Sequence, residues 1–240
     1  MTDDPYFTFF WINADHEHYY RQLMYTHAVT MKLHHVRIPA VTAEGSHCYG
    51  NALRARTLSH IRAIRRVSNM PQYRLSCVLI AEDTLAFTYM PYWLHSLRCI
   101  VQNAPVDWGI LQLSYTAPSA EMLKEIMHSA HAPYIPWRIH RLGGTVCYIM
   151  HPRGRADIRR AVRAYKQNTL TAFSPDYAAE HLFALTVTYT FHYPLFHCHK
   201  RRVVHQLQFQ RDMNEMVQYT NTVRKTAIYC GRPYSSESRL

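Results

Sequence analysis

Two acidic side chains close an apolar run in VLIAEDTLAF, residues 78 to 87, at the point where a buried strand should reach the surface. A carboxylate at the carboxyl end of a parallel strand stands where open α/β sheets bind ligands, because strand order reverses there and leaves a crevice. Glu82 and Asp83 are therefore candidate ligand-binding groups, with an ordinary strand-ending turn as the plainer alternative. A third carboxylate, Asp176 in SPDYAAEHLF, has a local role open to it: Ser174 or Asp176 can cap the helix that follows, with Glu180 in an early turn. The segment FHCHKRRVVHQ gathers His197, Cys198, His199 and His205, but the spacing fits no standard structural zinc pattern and lacks a second ligand pair. Lys200, Arg201 and Arg202 beside it suit an anion-contacting rim better.

Positive charge is the second chemical theme. In ALRARTLSHIRAIRRV, Leu58, Ile61, Ile64 and Val67 recur at helical spacing as an apolar stripe, while Arg54, Arg62, Arg65 and Arg66 lie largely off it. Such a basic face is either simply solvated or brings an arginine near the helix start to a diphosphate, aided by the helix dipole. The preceding GSHCYGNA supplies Gly45 and Gly50 for a close turn without forming a phosphate-loop fingerprint. The chain's formal net charge of +11 favours anionic partners, whether nucleic acid, acidic lipid or a phosphorylated small molecule. A nucleic-acid-binding module would use PRGRADIRRAVRAYK and HKRR on phosphates, yet no helix-turn-helix, zinc-finger or RNA-recognition signature accompanies them, and no nucleic acid is expected as partner. The six cysteines are spread without a CxxC pair, which points to reduced, mostly buried thiols.

Short β-rich runs alternate with amphipathic stretches, the pattern of an α/β fold in which helices flank a mostly parallel, mixed central sheet. Strands are expected at Phe7–Ile12, His35–Val41, Leu75–Ala81, Gly109–Ser114 and Thr145–Met150. Helices are expected at His16–Met31, Ala52–Val67, Pro91–Gln102, Ser119–Ser129, Arg155–Tyr165 and Pro175–Thr186. With 240 residues and 48% hydrophobic side chains, a single domain over 1–229 can bury a sizeable core, and the polar stretch 230–240 reads as a mobile tail. The start, MTDDPYFTFFWINADHEHYY, carries two aspartates where a secretory signal would be basic, and is read as a strand rather than a signal peptide. The apolar stretch Leu182–Phe196 is interrupted by Thr, Tyr, His and Pro and falls short of a bilayer span. A soluble protein of a bacterial, viral or host cytoplasm is the expectation.

Taken in order, several stretches resemble glycosyltransferase family 25. FFWINADHEHYYRQLM is similar to its opening strand, "INL" turn and arginine-bearing helix, HVRIPAVTAE to its "R-x-x-A-V" strand, and GNALRARTLSHIRAI to its "G-x-x-G-C-x-L-S-H" helix. VLIAEDTLAF resembles the "I-L-E-D-D" strand end, VDWGILQLS the "D-W-D-I-L-x-L" strand, GGTVCYIMHPRGRADI the "G-T-x-A-Y-x-x-S-x-x-G-A" unit, and SPDYAAEHLF the "P-x-D" segment. The likeness runs from about residue 6 to residue 212.

The resemblance implies a GT-A-like nucleotide-sugar-binding domain that transfers a sugar, galactose foremost, from a UDP-sugar to a glycan or hydroxylated acceptor with inversion. It assigns Asn13, Arg21, Ser59, His60, Glu82 and Asp83 to the nucleotide sugar. Glu82, Asp83 and Thr84 fall on the metal position, for Mn2+ or Mg2+, and Asp176 becomes an active-site carboxylate, as general base or metal-shell group. His60 is then either a donor-site contact or a buried hydrogen-bonded histidine. Thr84 departs from the family, which has an acid there, so cation affinity should be weaker because ligand charge tunes it. The rival expectation is a catalytically inactive, transferase-like glycan-binding or interaction protein.

Overall fold

The computed structural model describes residues 7–42, 49–87, 90, 93, 95–115, 133–137, 142–167, 174, 178–192 and 195–198. Asp176, the helix expected at Ser119–Ser129, residues 199–205 and the expected tail lie outside the described residues.

Strand β1 (Thr8–Asn13) is buried at every position, as a central strand covered on both faces must be. It is followed by α1 (His18–Thr30), β2 (His35–Pro39), α2 (Tyr49–Ser68), a 3-10 turn at Pro71–Tyr73, and β3 (Val78–Glu82). Both β2 and β3 pair with β1 in parallel, one on each side. The chain continues through β4 (Leu85–Ala86), α3 (Leu97–Gln102), β5 (Ile110–Gln112), β6 (Tyr134–Pro136), β7 (Cys147–Met150) and α4 (Pro152–Lys166). A 3-10 helix (Ala179–Leu185), β8 (Thr188–Phe191) and β9 (His197–Cys198) complete the described elements.

Seven strands form one sheet in the order β2-β1-β3-β7-β5-β8-β6, and β4 pairs with β9 apart from it. β7 is antiparallel to both β3 and β5, and β6 is antiparallel to β8. The sheet is therefore mixed but mostly parallel in direction, with β7 and β6 reversed. Alternation along the strands feeds two cores. Phe9, Trp11, Leu79, Ala81 and Ile149 pack with Met24 and Ala28 of α1 and with α3. Phe10, Ile12, Val78, Ile80 and Met150 pack with Ile61, Ile64 and Val67 of α2, with Ile158 and Val162 of α4, and with Phe183 of the 3-10 helix. The first core lies on one face of the sheet and the second on the other.

Several expectations are corrected at their margins. Leu75, expected at the start of a strand, is 88% exposed in a loop, because the carbonyls around it are taken by Arg155 rather than by a neighbouring strand. The helix expected at Pro175–Thr186 is, where described, a 3-10 helix over Ala179–Leu185 with Ala178 as its N-cap. Thr186 must already leave the helix for Thr188 to enter the sheet beside Ile110, which leaves the segment few turns. Strands β6 and β8 were not anticipated. In β8 the alternating Thr188, Tyr189, Thr190 and Phe191 conceal the strand within a longer apolar stretch, and buried Thr190 donates to Gln112 Oε1 at 2.7 Å.

Candidate functional site at the carboxyl ends of the central strands

The path β1-α1-β2 leads to one side of β1 and β2-α2-β3 returns to its other side, so the strand order reverses between β1 and β3. A crevice opens at the carboxyl ends of strands at such a point, and Asn13 and Glu82 are the last residues of these two strands. Two hydrogen-bond networks meet there.

The first centres on buried Asn13. Its amide nitrogen donates to Asp83 Oδ2 at 2.8 Å and to the Glu17 carbonyl at 3.1 Å. Its amide oxygen accepts from Arg21 Nε at 3.2 Å and Arg37 Nε at 3.0 Å, so α1, β2 and the turn after β3 are held by one side chain. Arg37 also pairs with Asp15, and this hydrogen bond with the charge of its guanidinium holds the exposed Asp15 carboxyl below its usual range.

The second centres on Glu82, whose side chain is 16% exposed. Its Oε1 accepts from Arg56 Nε at 2.9 Å, Arg56 Nη2 at 2.7 Å and Thr145 Oγ1 at 2.7 Å, and lies 3.2 Å from His60 Nε2. Burial pushes the Glu82 carboxyl up, but the Arg56 charge and the His60 and Thr145 hydrogen bonds outweigh it and hold the group ionised, well below the usual carboxylate range. An ionised acceptor places a proton on His60 Nε2, and Nδ1 of the same ring lies within hydrogen-bond distance, 2.9 Å, of the Tyr148 hydroxyl. Burial, followed by the nearby Glu82 charge, keeps that phenol protonated by pushing its pKa well up. None of these bonds uses Glu82 Oε2.

Neighbours in sequence thus diverge: Glu82 joins the α2 side of the sheet, and Asp83 joins the α1 side through Asn13. Thr84 is buried next to Asp83, and its hydroxyl oxygen has no hydrogen-bond partner among the described residues. Among the described residues no three His, Cys, Asp or Glu side chains form a metal-binding group. The loop before β7 is fixed from behind. Gln112 Nε2 donates to the carbonyls of Gly143 and Gly144, Glu180 accepts from Gly144 N–H, and Gly144 takes a φ of 103° that suits glycine alone. Thr145 follows directly and reaches Glu82.

Of the residues singled out in the sequence, Asn13, Arg21 and Asp83 belong to the first network, and His60 and Glu82 to the second. Ser59 is buried between them in sequence only: it donates to Ala55 O at 2.7 Å and accepts from Val41 N–H at 2.8 Å, tying the exit of β2 to α2. Arg37, Arg56, Thr145 and Tyr148 were not anticipated. Arg56 carries a local signal, since it precedes His60 by four residues and so shares its helix face. Thr145 and Tyr148 reach the site through the antiparallel register of β7 on β3, Ile80 opposite Tyr148, which no local pattern encodes. Neither the models of known protein families nor the curated proteins give a match to this sequence.

Proposed function

We propose that the chain is an inverting glycosyltransferase with a GT-A-type domain, moving a sugar, galactose foremost, from a UDP-sugar to a glycan or hydroxylated acceptor. The observation that carries this reading is the placement of Asn13, Glu82 and Asp83 at the carboxyl ends of β1 and β3, where strand order reverses, together with the ordered resemblance of the motifs that contain them. The donor lies over the carboxyl ends of β1 and β3. Arg21 and Arg37 orient the Asn13 amide, and Glu82, itself fixed by His60 and Thr145, holds Arg56, whose side chain is 37% exposed, as a cation for the donor diphosphate. Asp176, by resemblance, takes the acceptor hydroxyl proton.

The residues present fit a divalent cation of modest affinity. Mg2+ or Mn2+ is commonly held by one or two carboxylates with substrate phosphates and water, and the Asp83 carboxylate and the Thr84 hydroxyl, which has no partner among the described residues, are two candidate oxygen ligands. Glu82 can contribute only through Oε2, since Oε1 is committed to Arg56, His60 and Thr145. Such a cation would offset the diphosphate charge when bound.

The same commitment of Glu82, with neutral Thr84, favours a second reading: a protein that binds the donor without turnover. A donor screen scored by released nucleotide, with and without manganese and paired with binding titrations, separates the two. Release from one UDP-sugar, increased by manganese, is expected. Binding without release supports the second reading, and neither binding nor release of any nucleotide sugar refutes both.

A further inference from the structure

We propose that the outer face of α2 and α4 docks on an anionic lipid bilayer, with Leu75 and Val106 entering the headgroup layer. The two helices cover the same face of the sheet and share one core. Tyr49–Ser68 contains no acidic residue, and the one acid of α4, Asp157, accepts from the Thr186 hydroxyl at 2.9 Å and from Arg160 at 3.3 Å. Arg65, Arg66, Arg159, Arg163 and Lys166 are exposed on this layer, with no carboxylate partner among the described residues.

Leu75 and Val106 are 88% and 92% exposed, and both are held at the amino end of α4. Buried Arg155 donates to the carbonyls of Tyr73, Arg74 and Ser76, which fixes the loop around Leu75, and Arg153 donates to the Val106 carbonyl at 3.2 Å. Single exposed aliphatic residues are ordinary. Two on braced loops at the margin of a basic layer are a pattern that fits lipid, where cations meet anionic headgroups and aliphatic side chains meet acyl chains. A nucleic-acid backbone would use the cations alone and give Leu75 and Val106 no role. No helix among the described residues is long and apolar enough to cross a membrane, so this contact would be peripheral. Leu75 precedes the amino end of β3 and Glu82 ends the strand, so docking engages the end of the strand opposite to the candidate site.

Sedimentation of the full chain with phosphatidylcholine vesicles, with or without about 30% phosphatidylglycerol, tests the proposal. Partitioning onto the anionic vesicles only, weakened between about 0.1 and 0.5 M salt, is expected. Since each cation near such a surface raises partitioning about fivefold, Arg159→Glu with Arg163→Glu should lower it at least tenfold. Leu75→Ser with Val106→Ser should lower it several-fold and leave the remaining binding more salt-sensitive, because the apolar part is not screened. All four sites are exposed, and an unchanged melting midpoint confirms that the variants fold. Equal partitioning onto both vesicle types, full binding by folded charge-reversal variants, or capture of duplex DNA with no vesicle binding would each overturn the proposal.

Discussion

Replacing Glu82 by Gln keeps the shape of the second network and removes its charge. Arg56, His60 and Thr145 all converge on the one oxygen Oε1, so the ionised form is what the site is built to hold. Removing one partner of a buried ion pair costs about 3 to 5 kcal/mol, but Arg56 is 37% exposed and water recovers part of the loss, which leaves about 2 to 3 kcal/mol at neutral pH. In a domain of this size that is a melting midpoint lowered by roughly 4 to 10 °C. The pH dependence follows from the sign of the shift. The folded Glu82 carboxyl titrates well below its ordinary value of 4.5, so its stabilisation is complete above that value and is lost as pH falls toward the folded pKa. Urea unfolding of both proteins should show a constant gap from pH 7 to about 5 that narrows by about 1.4 kcal/mol per unit below about 4.5. A Glu82→Gln variant within about 0.5 kcal/mol of the parent at pH 7, or a gap unchanged down to about pH 3.5, would refute the assignment of Glu82 as an ionised anchor.

Asp83→Asn should lower turnover by removing the charge beside Thr84, and Thr84→Asp should tighten manganese binding in calorimetry; unchanged affinity in the second variant removes the cation from this turn. Asp176→Asn should lower turnover far more than donor affinity, with the melting midpoint kept, whereas a fully active and equally stable variant excludes it as the base. Gly154→Ala should destabilise the fold by about 1 to 3 kcal/mol or more, because its Cβ would collide with the Gly109 carbonyl, which is backbone and has little room to yield; a midpoint within a degree or so of the parent refutes that close contact.

The α/β alternation was legible because most elements carry their own period: Leu79 and Ala81 against Val78 and Ile80, or Ile61, Ile64 and Val67 along α2. The acidic strand end was legible for the same reason, since Glu82 and Asp83 break an apolar run. What acts on those acids was less so. Asn13 reaches Asp83 across 70 residues, and Thr145 reaches Glu82 across 63, through strand register that depends on the folded sheet. Thr84, singled out as a missing acid, proves also to be a buried hydroxyl without a partner among the described residues, a property set by the fold around it rather than by any local pattern.

Arg155 has a bearing on the order of folding. The loop at residues 73–76 has few local bonds, from Tyr73 N–H to Met70 O, from Arg74 N–H to Pro71 O and from Ser76 N–H to Tyr73 O, and its carbonyls are gathered by a side chain 79 to 82 positions further along the chain. Its shape is therefore a non-local product. It sets only once α4 has docked, after the entropy of closing that long segment has been overcome. During refolding Arg74 should stay open to a brief pulse of trypsin until α4 is protected from hydrogen exchange, and the two protections should then arrive together.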